Sequence, residues 1–382
     1  MREGAPRSRL RRAAAGLLLS LGTLALAEGA ASLIVYAWDL ARHAERPLPE
    51  RVHTVYDPLL GWVNAKGLQA PDLYGPGRSF TSNALGFRGG REYASAVPEG
   101  KRRAICSGDS FTLGYGVGDE HAWPRILELR DPALEAVNMG QGGYALDQAY
   151  LWYLRDGREL EHQLHLFAFI ADDFERMRAP RFRGYGKPLV VLAEDVEQRA
   201  EGDPAGEGLA TVGVPVLASS FRHPWLTQNR DLVLRLRSLE LLGRARRKLA
   251  GSEPLSGLLA EETAQEVAAR LFLDLARVNA AKGSRLVLVL LPNKDPLAPG
   301  RLSRLSGWMH SAVERAREQG VPFIDLSADF EALSATERER LFLPPGLIPL
   351  PGAAGHYSEA GNAFVADRLR ALLAQQGLLA DL

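Results

Sequence analysis

Ser110 sits in the setting that most directly suggests chemistry. The run Cys106-Ser107-Gly108-Asp109-Ser110-Phe111-Thr112-Leu113-Gly114 follows a short apolar stretch at residues 103–107. A serine at a strand-to-helix turn is exposed at the carboxyl edge of a sheet, where open α/β folds bind their ligands. Its backbone N–H points into the same space, and Gly108 permits a turn that a Cβ would obstruct. Taken alone, a Gly-Asp-Ser tripeptide is an ordinary helix-capping turn. A serine hydroxyl is also a poor nucleophile unless a base within hydrogen-bond reach takes its proton. The chain has 8 histidines. His356 stands in His356-Tyr357-Ser358-Glu359-Ala360-Gly361-Asn362, just before the last helical pattern. His162 and His165 lack a carboxylate partner motif and are assigned a surface or core role, not a metal site. Gly114 to Gly118 only faintly resembles a phosphate loop, since the dinucleotide fingerprint is missing.

A second glycine-rich turn, Asn138-Met139-Gly140-Gln141-Gly142-Gly143-Tyr144, follows the next strand pattern. A third strand pattern ends in Ala171-Asp172-Asp173-Phe174. With these in view, the chain resembles the SGNH (GDSL-type) hydrolases over residues 101–382. The resemblance implies Ser110 as nucleophile, His356 as base, and an oxyanion hole from the N–H groups of Ser110 and Gly143 with the side chain of residue 172. Such donors act where negative charge develops in an ester's tetrahedral intermediate. Two positions depart from the family's pattern. Asp172 stands where the family carries asparagine; an ionised carboxylate there opposes the oxyanion, whereas a protonated one, its pKa raised by burial, could still donate. Ala353 stands where the family carries its catalytic aspartate, so a Ser-His dyad is expected, with the imidazole oriented by a backbone carbonyl or a distant carboxylate. Upstream, Asn83-Ala84-Leu85-Gly86-Phe87-Arg88 looks like an arm motif of membrane-anchored SGNH proteins. Residues 184–192 with 212–216 are similar to their inserted hairpin.

The elements needed to hold these residues are legible. Apolar runs at 103–107, 134–137, 164–170, 285–291 and 322–326 read as strands. Helical patterns at 147–155, 261–282, 307–318 and 359–375 alternate with them. Such alternation predicts a three-layer α/β/α domain around a parallel, flavodoxin-like sheet. Residues 39–100, rich in Gly, Pro and polar residues, read as an extended arm on the domain surface. Residues 176–256 break the rhythm and are expected to form an inserted lid over the sheet's edge. They include a basic helical stretch at 230–249. Arg176, Arg178 and Arg181 would either meet an anionic substrate group or form a solvated face.

The chain has 382 residues, 46% of them apolar, enough for one sizeable core. With 46 basic and 46 acidic residues it carries no net charge, and no nucleic-acid partner is expected. The single cysteine, Cys106, rules out intramolecular disulfides and thiolate zinc clusters. No cofactor or metal is implied. Residues 1–12 form a basic tail containing Arg2, Arg7, Arg9, Arg11 and Arg12. Residues 13–38 are apolar but for Glu28 and are long enough to span a bilayer. The arginines predict a cytoplasmic tail and an exoplasmic, periplasmic domain. A cleavable signal peptide ending near Ala27 is the rival reading; the resumed apolar pattern to Trp38 favours an uncleaved anchor. The expected activity is a serine esterase or O-acyltransferase on an ester, such as an O-acyl group of an envelope glycan or lipid. The alternatives are a catalytically degenerate domain that binds a glycan or partner protein, and a purely structural exoplasmic domain.

Overall fold

The computed structural model describes residues 5–43, 53–182, 185–196, 202–212, 238, 241–242, 258–295, 298, 300–348, 350 and 352–378. The chain divides into two compact units, Met1–Pro47 with Ala218–Ser256, and Leu48–Leu217 with Gly257–Leu382.

In the first unit, helix α1 (Ala5–His43) contains a stretch, Ala14–Ile34, long and apolar enough to cross a membrane. Alanine and leucine favour the helix, and leucines such as Leu17, Leu18, Leu21 and Leu24 are exposed around it. Ser20 and Thr23 return their hydroxyl protons to the carbonyls of Gly16 and Leu19, each at 2.9 Å, so neither needs water. Glu28, the one charge in the apolar stretch, accepts from the N–H and hydroxyl of Ser238 at 3.0 and 2.6 Å. The rest of the 230–249 helical stretch, apart from residues 241–242, lies outside the described residues.

The second unit begins with two small hairpins, β1 (Thr54–Asp57) with β2 (Gly61–Asn64) and β3 (Gln69–Ala70) with β4 (Phe80–Thr81). Strand β5 (Arg102–Gly108) leads into the one-turn helix α2 (Ser110–Leu113) and α3 (Trp123–Arg130). Strand β6 (Leu134–Gly140) is followed by α4 (Leu146–Arg155), and β7 (Leu164–Phe169) by α5 (Ala171–Met177). Short antiparallel pairs follow, β8 (Arg181–Phe182) with β9 (Tyr185–Gly186) and β10 (Leu189–Leu192) with β11 (Leu209–Val212). The chain ends with α6 (Glu261–Ala280), β12 (Arg285–Leu290), α7 (Gly307–Glu318), β13 (Phe323–Asp325), α8 (Ser327–Glu331), α9 (Ala335–Arg340) and α10 (Glu359–Gln375).

The central sheet is parallel throughout, in the order β13-β12-β7-β5-β6. Counting only these five strands along the chain, the order is 2-1-3-4-5, the flavodoxin-like arrangement expected. Its switch point lies between β5 and β7. Strand β7 separates the two faces. Leu164, Leu166 and Ala168 join a buried cluster with Trp123 and Ile126 of α3 and Val365 and Leu369 of α10. Phe167 and Phe169 turn the other way and pack on Phe272 of α6. Burial on both faces is why β7 and β12 read as nearly continuous apolar runs.

Within the arm, His53, Asn64, Tyr74, Phe80 and Phe87 are fully buried, with Trp62 and Arg88 nearly so, while residues such as Lys66, Asp72 and Glu99 are exposed. The described part of the insertion divides: Arg176 and Phe182 pack at the sheet's carboxyl edge, on Asp109 and beside Gly143, while its later residues pack on the helical layer. Gly206 N–H donates to the Tyr150 hydroxyl of α4, which donates in turn to Asp274 of α6, each at 2.7 Å. Residues 213–216 of the expected second hairpin strand lie outside the described residues.

Candidate active site

The switch point gathers the ends of β5, β6 and β7. At the end of β5, a Cβ on Gly108 would stand 2.4 Å from both the Ala168 carbonyl oxygen and Thr112 Oγ1, so only hydrogen fits there. Asp109 caps α2, its Oδ1 accepting from Phe111 N–H at 2.8 Å. Gly114 closes the turn in the left-handed region, φ 77°, and donates to the Ser110 carbonyl. Ser110 is thus the first residue of a one-turn helix pinned at both ends. Its Oγ lies 2.8 Å from His356 Nε2 and 3.4 Å from Asp109 Oδ2.

The imidazole is held from several sides. His356 Nδ1 lies 3.3 Å from the Ala353 carbonyl oxygen. A proton on Nδ1 donated to that carbonyl leaves the Nε2 lone pair facing Ser110, the tautomer a general base needs. The histidine loop is tied to the neighbouring segment by Leu343 N–H to the His356 carbonyl at 2.7 Å and Gly355 N–H to the Leu343 carbonyl at 2.9 Å. The ring stacks on Phe111 at 4.7 Å and lies 4.9 Å from Tyr115. At the position where an aspartate was sought, Ala353 contributes its main chain.

Gly143 has φ 73°, and a Cβ there would be 2.5 Å from the ring of Phe182, so both conformation and space call for glycine. The loop abuts the nucleophile turn through Gln141 N–H, which donates to the Gly108 carbonyl at 3.1 Å. Among the described residues, neither the Ser110 nor the Gly143 N–H donates a hydrogen bond. Asp172 occupies the first turn of α5 after β7. Its side chain is 45% exposed and stands 4.0 Å from Arg176 Nη2. It makes no hydrogen bond to Ser110 or His356 among the described residues.

Beneath Ser110 lies a charge cluster. Arg176 Nη1 donates to Asp173 Oδ1 at 2.6 Å, to Asp109 Oδ2 at 3.2 Å and to the Tyr144 carbonyl at 3.1 Å. Burial pushes the Asp109 carboxyl up, against the pull of Arg176; it pushes Asp173 up as well, reinforced by Asp109. The guanidinium holds its charge more firmly through its contacts with Asp173 and Asp109. Arg176 is therefore committed to Asp109, Asp173 and the Tyr144 carbonyl beneath Ser110. Arg178 pairs with Glu175 at 2.8 Å and lies over Trp308. Arg181 is exposed on β8.

The arm supplies the residues that the sequence reading gave no role. Arg88, 4% exposed, donates to the carbonyls of Leu113, Gly114 and Val117 at 2.5–2.6 Å and pairs with Asp119 at 3.0 Å. It holds the carboxyl end of the nucleophile turn. Trp62 Nε1–H donates to the Gly142 carbonyl at 2.8 Å, and Asn64 Nδ2 to the Gly140 carbonyl at 3.3 Å. Arg88 lies in the Asn83–Arg88 arm motif, whereas in the sequence Trp62 is only an aromatic in a Gly- and Pro-rich stretch.

His162 and His165, assigned a surface or core role, are buried. His165 Nε2 is 2.6 Å from Ser107 Oγ, and His162 Nε2 is 3.0 Å from the Tyr153 hydroxyl. Burial pulls both imidazoles below their usual range.

No family model matches the chain. Among curated proteins, anhydrotetracycline monooxygenase of Streptomyces rimosus is 27% identical over 178 residues, covering 39% of this chain and 35% of that protein, about a third of its length. Among solved structures, a Bacillus subtilis protein is 14% identical, with a TM-score of 0.39 over 73% of this chain and 58% of that one. A lipase/acylhydrolase from Enterococcus faecalis is 11% identical, with a TM-score of 0.37 over 72% and 96%. A member of the lipolytic G-D-S-L family from Veillonella parvula is 11% identical, with a TM-score of 0.35 over 72% and 98%. Those names describe those proteins; at such low similarity none of them extends to this chain.

Proposed function

We propose that this chain is an SGNH-type serine esterase or O-acyltransferase. The observation that carries the reading is the 2.8 Å approach of His356 Nε2 to Ser110 Oγ at the switch point of the sheet. In the proposed reaction, Ser110 Oγ attacks the ester carbonyl carbon as its proton passes to His356 Nε2. The carbonyl π electrons move onto oxygen, and the oxyanion is met by the N–H groups of Ser110 and Gly143. Collapse breaks the bond to the leaving alcohol, which takes the proton from His356. Water, or a sugar hydroxyl, then attacks the acyl-enzyme with His356 again as base, releasing acid or acylated acceptor. Ester bonds of O-acyl groups on an envelope glycan or lipid are the proposed substrates. We further propose that residues 13–38 anchor the chain with the catalytic domain outside the membrane. The exposed leucines of α1 and the flanking arginines support this.

The test is hydrolysis of short-chain nitrophenyl esters by detergent-solubilised protein. Wild type should turn over, and Ser110→Ala and His356→Ala should each lose about 10³-fold or more in kcat. Equal rates in all three proteins would reject the reading. The rival, a degenerate domain that binds glycan without reacting, would then stand.

A further inference from the structure

An oxyanion hole made of main-chain N–H groups works only if the peptide planes carrying them are fixed. The Ser110 N–H is fixed by the first turn of α2. The Gly143 N–H belongs to a peptide between two glycines, Gly142 and Gly143, where no side chain resists a flip of the plane. After such a flip the Gly142 carbonyl oxygen would face the oxyanion and repel it. Something outside the loop must hold this plane.

We infer that Trp62 is a positioning residue for the reaction, its indole N–H holding the Gly142–Gly143 peptide so that the Gly143 N–H faces the space above Ser110. This rests on the esterase reading given above. The indole Nε1–H donates to the Gly142 carbonyl at 2.8 Å. The peptide is trans, so its C=O and N–H point in opposite directions. Fixing the carbonyl on the arm side therefore turns the N–H away from the arm. Among the described residues that N–H donates to nothing, which leaves it available to an oxyanion.

The holder is itself held. Trp62 is 3% exposed, and its own carbonyl accepts from the Tyr144 hydroxyl at 2.6 Å. Its ring lies edge-on to Tyr144 at 5.8 Å and stacks with Phe182 at 6.3 Å. Phe182 also lies against the Cα of Gly143, so loop, indole and phenyl ring form one packed unit. The arm, which reads as a surface segment from its composition, thus reaches across 80 residues of sequence to set a catalytic donor.

The test is Trp62→Phe in the full chain, with benzothienylalanine at position 62 as a second variant that keeps the indole's shape and lacks only the N–H. Two readouts are compared with wild type: kcat and KM on a short-chain nitrophenyl ester, and the second-order rate of fluorophosphonate labelling at Ser110. The phosphoryl oxygen of the probe uses the same donors as the oxyanion. Loss of one donor outright costs ~10²–10³, and loss of its holder should cost less, about 10- to 100-fold in kcat. The labelling rate should fall by the same factor, with KM within about twofold. A merely structural role would alter stability without this matched fall. If wild type is neither labelled nor active, the esterase reading falls and takes this inference with it. If wild type is labelled at Ser110 and either folded variant keeps the wild-type rates, or loses affinity alone, the inference falls by itself.

Discussion

A serine is activated only as well as its base is oriented, and among the described residues a main-chain carbonyl contributes to that orientation. Ala353 O meets His356 Nδ1 at 3.3 Å. A proton held there on Nδ1 leaves Nε2 free to take the Ser110 proton. Asp172 bears on the other side of the reaction. It brings an acidic side chain to the place where the resemblance calls for an amide, half exposed and 4.0 Å from Arg176. The hypothesis is that this carboxylate opposes the oxyanion. Asp172→Asn supplies an N–H donor of nearly the same shape and should raise kcat, by up to ~10²-fold, with little change in KM. A folded Asp172→Asn protein that is slower at every pH would give the carboxylate a positive role instead.

At the scale of elements, the nucleophile turn is a single helical turn that cannot hold itself, and the arm holds it. Arg88 satisfies three carbonyls at its carboxyl end. Arg88→Ala would strip those acceptors and leave Asp119 without this partner, so unfolding free energy should drop by about 3–5 kcal/mol. Arg88→Lys should recover only part of this, since one ammonium cannot match the guanidinium's fork. Denaturant midpoints would decide, and an Arg88→Ala midpoint equal to wild type would refute the role. The insertion is fastened by a fully buried pair, Lys187 Nζ to Asp147 Oδ2 at 2.7 Å. Lys187→Met alone should cost about 3–5 kcal/mol because it strands a buried carboxylate, and adding Asp147→Leu should restore most of that. Equal stability of the single and double variants would contradict this account of the pair. These elements also show where sequence reading reaches its limit. Strands such as β7 and β12 announce themselves because burial on both faces makes them largely apolar. The arm does not. Its bonds run from isolated side chains, Trp62 and Arg88, to carbonyls far along the chain, and such pairing leaves no local period. The insertion is legible in part for a related reason. Its departure point after β7 is visible, but the Tyr150 and Asp274 contacts that draw its later residues onto the helices are not. Ser110 and His356 were legible because each sits in a turn of distinctive composition; Ala353 entered as a missing aspartate, and only the structure displays its carbonyl.

For the molecule as a whole, the parallel sheet with its switch point explains why residues 110, 143 and 356, distant in sequence, share one edge. The apolar stretch Ala14–Ile34 of α1 is the basis of the proposed membrane anchor. The expectation is one membrane pass with the amino terminus inside. A phosphatase reporter fused after Leu382 should be active only when exported, and cytoplasmic activity of the fusion would overturn the topology. Ser110, driven by His356, is proposed as a nucleophile toward an acyl-type centre. The most direct measurement is fluorophosphonate labelling of the solubilised full chain followed by peptide mapping. One stoichiometric adduct is expected on Ser110, absent in Ser110→Ala and slowed by at least about 10²-fold in His356→Ala. A folded wild-type protein that takes no label, or one labelled equally well without His356, would contradict it.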